Sequence, residues 1–172
     1  DIGDPAGIGN ELSGLGYVLT YLGRETDALR YLTDALDQAR QAGYRESEAE
    51  VLNNLGAVYL RLGHLAEALD YHQQALDLTR RIGDRTTEGY SLGHLGTVHE
   101  RRGQYRTALA QHRQALRIAG EIGDNHVAAE LLNRLGDTLL AAAKPAQALR
   151  AYRRALGKTG EHGNRYQQAR AH

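Results

Sequence analysis

Leu52-Asn-Asn-Leu55-Gly56-Ala-Val-Tyr59, answered by Ala68-x-x-x-His72-x-x-Ala75-Leu76, returns along the chain at a step of 40 residues. Leu-Gly recurs at Leu15-Gly16, Leu95-Gly96 and Leu135-Gly136. Ala-Leu recurs twice per unit, at Ala28, Ala68, Ala108 and Ala148 and again at Ala35, Ala75, Ala115 and Ala155. Gly43, Gly83, Gly123 and Gly163 close the four units. A fixed period between about 20 and 50 residues marks a repeat architecture, in which each unit packs mainly on its neighbours.

Within a unit the apolar spacing is helical. Val51, Leu52, Leu55, Val58, Tyr59 and Leu62 form one stripe, and Leu65, Ala68, Leu69, His72, Ala75, Leu76 and Ile82 form a second. Gly63 separates them, as Gly23 and Gly103 do in their own units, while the fourth unit carries Ala143-Lys144-Pro145 at that hinge. Each unit is therefore an antiparallel helical hairpin, and the expected fold is all-α, a right-handed superhelical solenoid of stacked hairpins. Gly16, Gly56, Gly96 and Gly136 lie mid-helix, where glycine costs about 1 kcal/mol relative to alanine. Repetition of that cost implies close backbone approach, with the alanines at 28, 68, 108 and 148 as the surface that presses in. The units divide as 10–49, 50–89, 90–129 and 130–169. Residues 1–9, with Ile2-Gly3-Asp4 in the register of Ile82-Gly83-Asp84, are expected to be the tail of an upstream unit, and 170–172 a continuation of the first helix of a following one.

Leu52-x-x-Leu55-Gly56-x-x-Tyr59 followed by Ala68-x-x-x-His72 resembles the tetratricopeptide repeat. Leucine stands for the usual tryptophan, His72 and His112 for the usual phenylalanine, and Arg80 for the late proline. The period is 40 residues where the family's is about 34, and the added length falls between Ala75 and Leu92, in the end of the second helix and the connection after it. This long form is similar to the repeats of actinobacterial antibiotic-regulatory-protein-type transcription activators and related signalling ATPases, and to animal spindle-orientation adaptors. The resemblance implies a concave side lined by the first helix of each unit, taking a protein or peptide. By register the facing residues are Ser13, Tyr17, Tyr21, Asn53, Asn54, Arg61, His94, Thr97, Arg101, Asn133, Arg134 and Asp137. Amides pair with a ligand backbone, arginines grip carboxylates through two parallel bonds, and tyrosines supply amphipathic contact area.

Composition narrows the alternatives. The chain has no cysteine, hence neither disulfides nor thiolate metal sites, which accords with a cytoplasmic setting. No apolar run approaches the roughly 18–20 residues of a membrane span. Nearly all positive charge is arginine, Lys144 and Lys158 being the lysines, a skew typical of GC-rich bacterial genes. Formal net charge is zero, yet residues 1–89 hold 8 basic and 15 acidic side chains, and residues 90–172 hold 13 and 6. That division either reflects solvated helix faces or steers an acidic partner to the C-terminal half, with head-to-tail self-association as the other use. Without an overall basic excess, direct nucleic-acid binding is not expected.

A catalytic constellation is not evident. Gly157-Lys158-Thr159 echoes a phosphate-binding loop, but Tyr152 occupies the place of its first glycine and no strand precedes it. His94 and His99 are five apart, whereas four puts two ligands on one helical face. His72 and His112 are expected to be imidazoles hydrogen-bonded within the core, the alternative being a zinc or pH-sensitive pair. No cofactor and no enzymatic activity are expected. The reading is a peptide-binding module, the sensory or assembly domain of a larger bacterial transcriptional regulator. A passive scaffold, or the accessory domain of an enzyme whose catalytic part lies elsewhere, are the alternatives.

Overall fold

The computed structural model describes the backbone of residues 5–170 and the side chains of residue 9 and residues 11–158. Among the described residues there are eight helices and no strand: α1 Pro5–Tyr21, α2 Glu25–Ala42, α3 Arg45–Arg61, α4 Leu65–Ile82, α5 Arg85–Arg101, α6 Tyr105–Ile122, α7 Asn125–Ala141 and α8 Pro145–Arg170. Consecutive helices pair as hairpins. The upstream-tail expectation for Ile2-Gly3-Asp4 lies outside the described residues.

Left-handed backbone closes the second helices. Gly43, Gly83 and Gly123 take φ of 73°, 76° and 73°, and the amide after each reaches back to a carbonyl of the preceding turn. At the fourth hinge Ala143 adopts the same conformation, φ 57°, although it carries a Cβ.

Two expectations about length are corrected. The connections after the second helices are two residues long, as at Gly83-Asp84, so the added length is helical throughout. It extends each second helix to its closing glycine and begins each following first helix at Arg45, Arg85 or Asn125, five residues ahead of the boundaries read from the repeat. And Gly163 ends nothing, because α8 continues through it to Arg170.

The chain forms two compact units, Asp1–His94 and Leu95–His172. In the first, Ala28, Leu32, Ala35 and Leu36 of α2 share a core with Val51, Leu52, Leu55 and Val58 of α3 and with Ala75 and Leu78 of α4. In the second, Leu109 of α6, Leu135 and Leu139 of α7, and Ala148 and Ala151 of α8 make the corresponding core. Burial of these side chains is the main stabilising term.

The mid-helix glycines do mark close approach, but a different residue presses in. A Cβ on Gly16 would lie 2.5 Å from Leu32, on Gly56 2.6 Å from the His72 ring, on Gly96 2.5 Å from His112 and on Gly136 2.5 Å from Tyr152. Thus the residue four places after each alanine lies over the glycine, while the alanine lets the two backbones converge.

Buried glutamates clip two of the joints between hairpins. Glu48 accepts from Arg40 Nε at 3.0 Å and Arg45 Nη1 at 2.7 Å, and Glu88 accepts from Arg80 Nε at 3.1 Å and from Arg85. Burial pushes the Glu48 carboxyl up, but the hydrogen bonds and charges of Arg40 and Arg45 outweigh it and hold the group below the ordinary carboxylate value. One period on, the residues are Gly120, Asn125 and Ala128, and the clip is gone. There the Asp124 side chain still caps α7, accepting from the amides of His126 and Val127 at 2.9 and 3.0 Å, as Asp84 accepts from the Thr87 amide at 3.0 Å beside its clip.

Candidate functional site

The first helices carry the expected site residues. In the first unit α1 presents Tyr17 and Tyr21, both exposed, with rings 4.8 Å apart and hydroxyls 3.0 Å apart. Their four-residue spacing puts both on one face of the helix. Ser13 of α1 is tied to α3 by the Asn54 amide, whose Nδ2 donates to Ser13 Oγ at 3.3 Å. Arg61, at the end of α3, donates to Glu25 of α2 at 3.3 Å and remains half-exposed.

Asn53 is not on that face, and its expected groove role is corrected. It is buried, with Nδ2 donating to Ser91 Oγ at 2.9 Å and Oδ1 lying 3.0 Å from His72 Nδ1. Because the Asn53 oxygen only accepts, the fully buried His72 carries its proton on Nδ1. Ser91 passes the chain on to the Thr87 carbonyl at 2.9 Å. The cause is helical phase: Asn53 points toward α4 and the following first helix α5, where His72 and Ser91 cover it, whereas Asn54 points back to Ser13 of α1. His94, half-buried, lies face to face with His72, with centroids 4.7 Å apart and planes 4° apart.

In the second unit the network runs from the end of α5 to α7. Arg134 donates from Nη1 to Thr97 Oγ1 at 3.3 Å and from Nη2 to Glu130 at 2.6 Å. Thr138 donates to Glu100. Asp137 accepts from the Tyr152 hydroxyl of α8 at 2.7 Å, and this bond, with burial and the charges of Asp137 and Glu100, pushes the phenol up to about 12. Arg101 and Asn133 are exposed.

His112 is fully buried like His72, yet neither ring nitrogen has a hydrogen-bond partner. The reason is in the register: Gly93 stands one period after Asn53 and has no side chain to offer. Burial, then the Arg134 charge, lowers the His112 pKa from 6.5 to about 4, so the ring is neutral at physiological pH. The expectation of hydrogen-bonded imidazoles is met by His72 and corrected at His112. Among the described residues no group of three or more His, Cys, Asp or Glu is placed to hold a metal ion.

The face thus consists of side chains bridged from one first helix to the next, at offsets of 37 to 41 residues. Glu25, Glu130, Thr138 and Tyr152 belong to this network and were not among the candidates. Complementary polar pairs near one period apart were the signal for Glu25 and Thr138, and the four-residue spacing of Glu130 and Arg134 was the signal for Glu130.

The architecture is that of a helical-hairpin repeat protein, and comparison with known families agrees. The tetratricopeptide repeat family model matches residues 10–81 and 87–157. The chain belongs to the tetratricopeptide repeat family. No curated protein matches its sequence. Among solved structures it is similar to BtubC (BKLC) from P. vanneervenii, at 21% identity and a TM-score of 0.77, covering 93% of this chain and 66% of that one. It is also similar to a Rap protein complexed with competence and sporulation factor, at 17% identity and a TM-score of 0.86, covering 93% and 45%. Aspartyl phosphate phosphatase F from Bacillus subtilis is similar at 13% identity and a TM-score of 0.84, covering 94% and 43%. At these identities the likeness is one of fold. The chain spans less than two thirds of each of these proteins. No helix among the described residues is long and apolar enough to cross a membrane.

Proposed function

We propose that the protein is a peptide-binding module without catalysis of its own, and that the face of the first helices in the second unit takes an acidic peptide. The observation that carries this is the set Thr97, Arg101, Arg134 and Asp137 on α5 and α7. Arg134 is held in place by Thr97 and Glu130, so little of its rotamer freedom is left to lose on binding. Arg101, at the end of α5, is exposed and offers a guanidinium for carboxylates. The excess of 13 basic over 6 acidic residues after residue 89 favours an acidic ligand. Support from fold comes from the Rap structure, which was solved with its competence and sporulation factor bound.

The context we infer is a larger cytoplasmic bacterial regulator of transcription, in which peptide binding alters a linked domain. The 40-residue form of the repeat and the arginine-rich composition support it. A passive scaffold would use the same face without a linked output. Selection from a displayed library of random peptides tests the binding itself. Selected peptides should be acidic, and Arg101→Ala with Arg134→Ala should weaken them at least tenfold while leaving the helical circular dichroism unchanged. Unchanged affinity in the double variant would remove the site from this face.

A further inference from the structure

The first unit holds a groove that the proposed peptide face does not use. Leu36 and Arg40 of α2, Tyr59 of α3, and Glu67, Asp70 and Tyr71 of α4 line a cavity of about 440 Å³. A second cavity, of about 590 Å³, shares Arg40 and Gln74 with the first and adds Glu48, Leu52, Asp77 and Arg81. The lining positions of α4 recur every three or four residues from Ala66 to Arg81. The cavities therefore follow one face of that helix for roughly 22 Å, a length that an extended segment of about six residues spans. The walls belong to α2, α3 and α4, each flanked by further helices of the chain.

The lining has a definite chemistry. Tyr59 and Tyr71, both half-buried, stack with centroids 5.3 Å apart and planes 9° apart. Beside them Gln74 donates to Asp70 at 2.7 Å and Gln73 donates to Asp77 at 2.9 Å. These bonds orient two carboxylates, and a carboxylate has acceptor sites for further donors. Arg40 is committed to Glu48 at 3.0 Å, which leaves Glu67, Asp70 and Asp77 against Arg81 among the lining charges. Burial, then Tyr59 and the Asp70 charge, push the Tyr71 phenol up against a smaller opposite effect of Arg40. One period on, Tyr59, Glu67, Asp70 and Tyr71 are replaced by His99, Thr107, Ala110 and Gln111, so the packing of the repeat does not require them.

We propose that this groove takes an extended, arginine-bearing segment of a basic protein partner, with one guanidinium against the Tyr59–Tyr71 pair and its N–H groups on Asp70 and Glu67. A guanidinium offers a flat face to the phenol rings and a planar fork of donors to the carboxylates, whereas an ammonium is a compact point charge. Asp77 is two turns further along α4 and receives a second basic side chain of the same segment. The site takes a ligand opposite in charge to the one proposed for the second unit, and it stands whether or not that one does.

Fluorescence anisotropy of the 172-residue chain with a labelled peptide of alternating arginine and alanine, about six residues long, tests this. Binding should saturate and weaken with added salt, and the lysine counterpart should bind at least fivefold more weakly. Glu67→Gln with Asp70→Asn should weaken the arginine peptide at least tenfold. Asp34→Asn with Asp37→Asn, which removes the same charge from exposed positions of α2 outside the groove, should change affinity less than twofold. Tyr71→Leu should bring the arginine and lysine peptides to similar affinity, and Tyr59→Leu replaces it if circular dichroism shows lost helix. Absence of saturable binding overturns the proposal. So do equal affinities of the unaltered chain for the two peptides, or equal losses from the two carboxylate pairs.

Discussion

The four residues that lie over the mid-helix glycines show how one seat tolerates different chemistry. Leu32 needs no polar partner, His72 has Asn53, Tyr152 has Asp137, and His112 has none. A buried polar group left unpaired costs about 1–3 kcal/mol, so His112→Leu, which copies the seat of Leu32, should raise stability by that order. The pH dependence should change with it. Unfolded, the imidazole titrates near 6.5, and folded near 4. Between those values the unfolded chain binds the additional proton, so lowering the pH through this window destabilises the protein, by up to roughly 3 kcal/mol at its lower end. Thermal melts from pH 7 to pH 4 should show that loss, and His112→Leu should flatten it. Glycine contacts are graded by their neighbours in the same way. Gly56→Ala should cost about 1–2 kcal/mol after the gain in helix propensity, because Asn53 holds the His72 ring where a Cβ would go. Gly16→Ala should cost at least as much, since Leu32 Cγ, in a side chain with no exposed surface, lies 2.5 Å from where that Cβ would go. Ala143→Gly should instead stabilise the protein by about 0.5–1 kcal/mol, the left-handed strain released less the added freedom of the unfolded chain. Denaturant titration resolves all three. What was legible at this scale was that glycine recurs for a steric reason. The pressing side chain was not, since both Ala68 and His72 lie on the inward face and only their depth separates them.

At the scale of the helix, the period of 40 residues was enough to place hairpins and hinges, because Leu-Gly, Ala-Leu and the closing glycines each mark a fixed point of the helical phase. Helix starts were less legible. Arg45-Glu-Ser-Glu reads as a polar connection, and becomes the first turn of α3 because Glu48 is drawn inward between Arg40 and Arg45. A carboxylate that is buried and paired leaves no trace in a hydrophobic pattern. Glu48→Ala should cost about 1.5–3 kcal/mol at neutral pH by chemical denaturation. Part of the wild-type advantage should vanish in acid, because a carboxyl held below its ordinary value gives up its stabilising contribution as it is protonated. The candidate site was legible at the level of which helices line it. Asn53 and Asn54 are adjacent and identical in chemistry, so the sequence alone did not separate the core residue from the face residue. A turn of about 100° between them did.

For the whole molecule, the sequence pI near 7.3 is the sum of two strongly and oppositely charged units. A neutral chain with evenly mixed charge and a neutral chain divided in this way behave differently in dilute buffer. Attraction between unlike units of different molecules should make solubility lowest near neutral pH at low ionic strength, and added salt should raise it. Turbidity measured against salt at pH 7 is the check, and turbidity that increases with moderate salt would count against the charge division mattering. The fold of each unit was readable because contacts in a repeat array are local. Function was less so, since recognition depends on which exposed side chains converge, and that follows from packing.

The glutamate clip joins α2 to α3 and α4 to α5, while α6 and α7 keep the capping aspartate without the clip. An aspartate cap secures the start of one helix; an arginine–glutamate–arginine bridge binds two. Amide hydrogen exchange should therefore report the last turn of α6 as the first of these three junctions to open, and under a stretching force the chain should part there before it parts anywhere earlier.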